Sequence, residues 1–314
     1  MGSPTSLSIA QLAICPPHGW RCHYWPSANT TSTPPFVSTE GSNPRPFAHA
    51  LFVAHSSNPM FADTFGLPEG QSLNLPVCAC ILLKAPGKGR KADGGPMDFD
   101  GSDAIRPYTP ISDNAMLGKF ELIVKRYETG AVSGYLHSLV PGEANVEFKH
   151  IKFNIKAQYP FEGKKTFTMI CMGTGLAPMF QAMIKLFGTP GDGRKVTLLL
   201  GNKSVQDILM REELDAYAKA HPERLKLVYV IGEQADAPAP EGWVSTAEYV
   251  AETGWIDEAK IEKYAFPPSD DTLMLVCGLP VLYDVLCGPR GEKELKEGSL
   301  LSTLGYTQEM VAKM

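Results

Sequence analysis

The hydrophobic periodicity of this chain changes at residue 166, and that change constrains the fold more than any other feature. From there on, apolar runs at 166–172, 195–200, 225–231 and 272–276 alternate with helix-spaced segments at 178–187, 207–219 and 256–264. In the second of these segments Ile208, Leu209, Leu214 and Tyr217 share one side. Strands alternating with helices predict a parallel, doubly wound sheet. Upstream the chain reads differently. Residues 48–55, 72–83, 120–127 and 146–155 are short runs of β-formers with Gly and Pro between them, which predicts a small antiparallel barrel or sandwich. Cys78 and Cys80, two apart in such a run, are expected on one strand face. The predicted organisation is an irregular Ser/Thr/Pro-rich extension over 1–44, a β domain over 45–157 and an α/β domain over 166–314. The segment 158–165, with Pro160 and Gly163, is the expected linker. Trp20, Tyr24 and Trp25 are the extension's candidates for anchoring to the folded body. Residues 84–104, rich in Gly and charge, are expected to form a mobile surface loop. Its GKGRK cluster lacks the Walker spacing.

Composition removes several function classes. A length of 314 residues suits about two domains. A net charge of −5 with pI near 5.8 argues against a general nucleic-acid binder, which needs a basic surface. No run of about 18 apolar residues is present, so no transmembrane helix is expected. The 7 cysteines are odd in number and scattered, which points to free thiols in a reducing, cytoplasmic compartment. Cys15, His18, Cys22 and His23 fit no zinc spacing, and no metal site is expected. The opening MGSPTS fits both an expression remnant and the myristoylation pattern at Gly2 with Ser6. The second reading allows weak peripheral attachment to a membrane face.

Three short stretches carry candidate chemistry. In TMICMGTGLAPM the first α/β strand runs into Gly173, Thr174 and Gly175, and Pro178 falls in the first turn of the next helix. Glycines there permit a tight turn and a close ligand approach, and the helix start offers free N–H groups to an anion. A plain strand-to-helix turn satisfies the same spacing. LVCGLPVL repeats the device with Cys277, Gly278 and Pro280. Both turns lie at the carboxyl ends of parallel strands, where α/β sheets bind ligands. In the β domain, RPYTPIS sets Arg106, Pro107, Tyr108, Thr109 and Ser112 in one extended segment. Arginine offers a forked donor to phosphate and tyrosine a flat ring for stacking. A proline-bounded edge strand with a surface arginine is the alternative.

Taken in order, these stretches resemble the ferredoxin-reductase-type flavoproteins, and among them the cytochrome b5 reductase family. RPYTPIS resembles that family's flavin motif, TGAVSGYLHSL at 129–139 its FAD-phosphate segment, MGTGLAPM its nicotinamide turn and LMLVCGLPVLYD its second nicotinamide turn. LLGNKSVQDILMREELDAYA and LGYTQEM resemble its intervening and C-terminal segments. The likeness runs from about residue 47 to the end. It departs at Leu279 and Val281, which stand where the family has prolines.

The resemblance implies a six-stranded antiparallel FAD-binding barrel followed by a Rossmann-like NAD-binding domain. It implies that Arg106 meets FAD phosphate, that Pro107 belongs to the same motif, and that Tyr108 lies beside the isoalloxazine. Thr109 and Ser112 would contact the flavin. Gly130, Val132 and Ser133 would hold phosphate. Thr174 would lie near the reactive flavin nitrogen, Lys125 would meet the pyridine nucleotide, and Gly173, Gly175, Pro178, Cys277 and Gly278 would form the nicotinamide turns. The implied activity is hydride uptake from NADH and single-electron delivery to a separate carrier, cytochrome b5. Glu233, just after the strand 225–231, is the residue expected to favour NADH over NADPH by bonding ribose hydroxyls. Lys149, Lys152, Lys156, Lys164 and Lys165 are the expected basic surface for an acidic partner. A flavin reductase serving an oxygenase, a quinone or a ferric acceptor shares the fold. A non-catalytic dinucleotide-binding module and a scaffold acting through residues 1–44 are the readings from other classes.

Overall fold

The computed structural model describes residues 48–54, 62–92, 94, 95, 97–150, 156–232 and 240–314, all within one compact unit, Phe36–Met314. Gly2, the Cys15–His23 cluster, the extension 1–44, Lys152 and Glu233 lie outside the described residues.

Six strands make the first lobe: β1 Ala48–Ala54, β2 Ala62–Gly66, β3 Ile81–Ala85, β4 Ala104–Tyr108, β5 Lys119–Ile123 and β6 Asn145–His150. They pair antiparallel in the order β4-β3-β6-β1-β2-β5. The two end strands meet through a bridge between Pro110 and Leu122 and a bond from the Ile111 N–H to the Glu121 carbonyl (2.9 Å), which closes the sheet into a barrel. Closure places Pro107 on a strand whose ladder partner is β3 alone, so its missing N–H costs nothing. Ile81, Leu83 and Ala85 alternate inward along β3. They pack with Phe65, Phe120 and Phe148 beneath a short helix, α1 (Ala131–His137), which contributes Val132 and Leu136 to that core.

The run 72–83 is not one strand. Only its end joins β3; Pro76 starts a turn closed by the Ala79 N–H at 3.1 Å, and Asn74 and Cys78 take positive φ. A proline inside the run and left-handed backbone at Cys78 break the period, so Cys78 and Cys80 do not share a strand face. The hairpin between β3 and β4 is pinned by an Arg90–Phe99 bridge and by the Arg90 guanidinium on the Thr129 carbonyl.

The second lobe is a sheet of six parallel strands: β7 Thr166–Met172, β8 Lys195–Asn202, β9 Leu225–Ile231, β10 Tyr249–Thr253, β11 Thr272–Cys277 and β12 Val311–Lys313. Their order is β10-β9-β8-β7-β11-β12, so the chain reverses direction across the sheet between β7 and β11. Helices α2 (Leu176–Gly188) and α3 (Arg211–Ala220) cover one face, where Phe167, Met169, Leu198 and Leu200 meet Met179, Met183 and Leu214. Helices α4 (Glu258–Tyr264), α5 (Pro280–Leu286) and α6 (Leu300–Thr303) cover the other, around Ile170, Leu199 and Val228. The helix expected from residue 207 begins at Arg211. A separate 3-10 turn holds Val205–Asp207, and Met210 interrupts with φ 51°, although Ile208 and Leu209 are buried as the spacing demanded.

The two lobes share a core. Cys78, Ile111 and Ile123 of the barrel lobe belong to the same buried cluster as the α2 side chains. Gln181 of α2 accepts a bond from the Cys78 N–H, and Lys185 of α2 pairs with Asp113 at 3.0 Å. No helix among the described residues is long and apolar enough to cross a membrane.

Candidate functional site

A cleft of about 950 Å³ runs along the seam, over the carboxyl ends of β7, β8 and β11. The reversal point of a doubly wound sheet opens such a crevice, because adjacent connections leave on opposite faces. Two glycine turns form part of its floor. β7 ends in a 3-10 turn at Gly173–Gly175, and Gly173 has φ +50°, with open space where a side chain would be. Gly175 has a different duty. A Cβ there would lie 2.2 Å from the Cys277 carbonyl oxygen, so it is glycine because the second turn presses against it. Gly278 is confined in return, its hypothetical Cβ meeting Leu282 at 2.8 Å and the Met172 Cβ at 3.2 Å. The turns interlock, and α2 begins directly behind them. Its cap, Gly175, has no side-chain bond to the first N–H groups, and Pro178 sits within the first turn where an N–H is not needed.

The barrel supplies the opposite wall. Arg106, Pro107, Tyr108 and Thr109 line it, together with Gly130, Val132 and Ser133 at the start of α1. Arg106 is exposed, with one guanidinium nitrogen on the Ile105 carbonyl (2.7 Å) and its other donors facing the cleft region. Tyr108 is largely buried. Desolvation, then nearby Asp63, push its phenol well above the usual value, so it remains a neutral ring. Gly130 leaves no room for a Cβ, which would fall 2.1 Å from the Ser133 Oγ. Lys125, just past β5, reaches across the seam to Asp207 at 3.1 Å, and Ser204 donates to the same carboxylate at 2.8 Å. Burial alone would raise Asp207; the bonds from Ser204 and Lys125 outweigh it and hold the carboxyl below its ordinary range.

The thiol of Cys277 lines the cleft, and burial raises its pKa. It is neutral at physiological pH and is no nucleophile. Tyr283 beneath it donates to the Met314 backbone oxygen at 2.7 Å and receives the Gly278 N–H at 3.4 Å, which fixes the second turn from below.

Of the residues expected at the site, Ser112 is not brought into the cleft. Its hydroxyl accepts from the Glu121 N–H at 3.0 Å and ties residue 112 to β5. The five lysines do not form one surface. Lys156 lines the cleft, whereas Lys164 donates to the Asp270 and Thr272 carbonyls and Lys165 pairs with Asp271. Those two precede β7, roughly 23 Å of strand away from the glycine turns.

The donor set fits a flavin dinucleotide. A guanidinium and an uncapped helix start suit a pyrophosphate, a buried neutral tyrosine suits a flat ring, and all belong to one wall. Comparison with known proteins agrees. Residues 55–150 match the family model described as an oxidoreductase FAD-binding domain, and residues 169–288 match the oxidoreductase NAD-binding domain. The NADH-cytochrome b5 reductase 2 of Coccidioides immitis is 34% identical over 254 residues, covering 79% of this chain and 70% of that protein. The chain belongs to the cytochrome b5 reductase family. The NADH-cytochrome b5 reductase 2 of Mycosarcoma maydis is likewise 34% identical, over 79% of this chain and 66% of its own length. The aligned part thus spans about two thirds of these relatives. The cytochrome b5 reductase domain of Ulva prolifera nitrate reductase superposes with a TM-score of 0.64 at 30% identity, over 77% of this chain and 90% of that domain.

As a cytochrome b5 reductase-family oxidoreductase, the chain carries cleft residues that the sequence did not single out. Asn202, Asp207, Trp255 and Arg290 all line it. Asp207 and Asn202 flank the GNKS segment, and a polar residue ending an apolar strand was the one signal available for Asn202.

Proposed function

We propose that the chain takes hydride from NADH and passes electrons singly to cytochrome b5. The observation that carries this is the pair of interlocked glycine turns facing the 106–109 segment across one cleft. NADH releases two electrons together and a haem accepts one, so FAD bound here would supply the conversion between them. The protein's own part is placement. Arg106 and the first N–H groups of α1 hold the flavin pyrophosphate, and Tyr108 and Thr109 flank the ring. Gly173 lets the nicotinamide approach the backbone, and Thr174 and Cys277 border the place where the two rings meet. Reacting atoms must be held within about 3–3.5 Å, and rigid turns locked to each other provide that better than mobile side chains. Lys125, held by Asp207 at the seam, faces the nucleotide. The donor NADH and the acceptor cytochrome b5 are those in the relatives' names.

The test is spectroscopic. Purified protein is expected to be yellow with stoichiometric FAD, to bleach on anaerobic NADH addition faster than on NADPH addition, and then to reduce added ferric cytochrome b5. Folded protein that binds no FAD on reconstitution contradicts the reading. Reduction of ferricyanide without any reduction of cytochrome b5 contradicts the acceptor alone.

A further inference from the structure

Asn202 ends β8 at the cleft, 6% exposed. Neither its Oδ1 nor its Nδ2 has a hydrogen-bond partner among the described residues. A buried carboxamide in that condition is destabilising, and native proteins keep such groups where something else completes them. Its placement says what. Side chains alternate along a strand, so Val196, Leu198, Leu200 and Asn202 face the same way. The first three pack in the cluster that contains Met179 and Met183 of α2. Asn202 therefore lies on the α2 side of the sheet, at the end where the 13-residue helix α2 starts without a side-chain cap. An uncapped helix start and an unpartnered amide converge on the same end of the sheet.

We infer that Asn202 binds the phosphorylated ribose on the adenosine side of the nicotinamide dinucleotide. Nδ2 donates to a phosphate oxygen and Oδ1 accepts from a ribose hydroxyl. A ribose phosphate presents an acceptor and a donor side by side, which is what a carboxamide with both ends free requires. The inference rests on the dinucleotide reading above. The choice of half follows from strand order. β11, with Cys277, lies on one side of β7, and β8 lies on the other. A dinucleotide with its nicotinamide at the Cys277 turn crosses the start of α2 and lays its remaining half over β8 and β9. That rim is kept low. The Gly232 N–H donates to the Asn202 carbonyl at 2.9 Å, and a Cβ on Gly232 would come within 2.8 Å of the Gly254 carbonyl oxygen.

FAD-loaded protein tests this with two probes, ADP-ribose and nicotinamide mononucleotide, by isothermal titration. Asn202→Asp keeps the shape, loses the donor and adds a charge that repels phosphate. Asn202→Leu keeps the approximate volume and removes both polar ends. Both variants are expected to keep bound FAD and to bind ADP-ribose about tenfold more weakly or worse, while affinity for the mononucleotide changes less than twofold. Asn202→Leu is also expected to melt no lower than the parent without nucleotide, because an unpaired polar group has gone. ADP-ribose affinity unchanged in both variants overturns the assignment, as does an equal loss for both probes. Parent protein that retains FAD but binds no ADP-ribose overturns the dinucleotide reading itself, and the assignment with it.

Discussion

At Gly175 one hydrogen atom decides whether the floor of the cleft exists. The Cβ of an alanine would stand 2.2 Å from a backbone oxygen, and backbone cannot rotate aside as a side chain can. Gly175→Ala is expected to cost about 2 kcal/mol or more and to weaken nucleotide binding, measured by thermal melting and by titration. Gly134 is the contrast. It sits inside α1 with open space at its Cβ position and no positive φ, so Gly134→Ala is expected to stabilise by about 0.5–1 kcal/mol. The cysteines give a second residue-scale prediction. Burial pushes Cys78 up to about 12 and Cys287 up to about 11, and raises Cys171 well above its ordinary value. The thiolate is the reactive form, so at pH 8 all three are neutral and unreactive. Iodoacetamide followed by mass spectrometry should find them unmodified in native protein and alkylated after urea. Prompt native-state labelling of Cys78 would contradict its burial at the seam.

Elements are held by networks at the end of the sheet opposite the cleft. Arg194 donates to both Asp192 oxygens at 3.0 and 2.9 Å, and its guanidinium lies 5.6 Å from the Tyr159 ring and 5.7 Å from that of Phe167. It thereby clamps the segment 158–165 to β7. Burial would raise Asp192, but the bonds from Arg194 outweigh it and lower the carboxyl below its model value. A lowered folded value means this stabilisation is complete above the unfolded carboxylate value, near 4, and is lost as pH falls through the lower folded value. Arg194→Met leaves Asp192, with a side chain 5% exposed, without its main partner. The expected cost is about 3 kcal/mol at neutral pH, with acid unfolding starting at a higher pH, read from urea midpoints across a pH series. A midpoint that does not move would show the clamp to be idle.

The same scale shows what was legible in the sequence. β7, its glycine turn and α2 were readable because apolar run, glycines, proline and helical spacing are all local signals. The stretch 72–83 was misread because Leu73, Leu75 and Val77 alternate like a strand, and the left-handed turn at Cys78 has no glycine to announce it. Ser112 belongs to a recognisable motif, yet spacing does not say which way a hydroxyl turns. Five lysines near in sequence were separated because a strand carries the chain from one end of the sheet to the other.

For the whole molecule, the question is whether barrel and sheet behave as one body. Ionic ties contribute little to the answer. Lys185 and Asp113 are 33% and 24% exposed and Lys125 and Asp207 are 31% and 22% exposed, so each pair is expected to contribute less than about 1 kcal/mol. Apolar contact contributes more, since Cys78, Ile111 and Ile123 sit in the cluster that also contains Met179, Phe180 and Met183. Opening the seam exposes that cluster on both sides, so neither lobe is expected to melt independently. A ligand gripped by the barrel wall must then stabilise the sheet as well. Binding only to the folded state adds RT ln(1 + [L]/Kd), or about 2.7 kcal/mol at a hundredfold excess over Kd. Calorimetry of protein stripped of flavin should therefore show a single transition that moves upward as a whole when FAD is added, and high salt should barely shift it. Two transitions, of which FAD moves only one, would mean that the shared core does not couple the lobes, and that the geometry of the cleft depends on bound nucleotide instead.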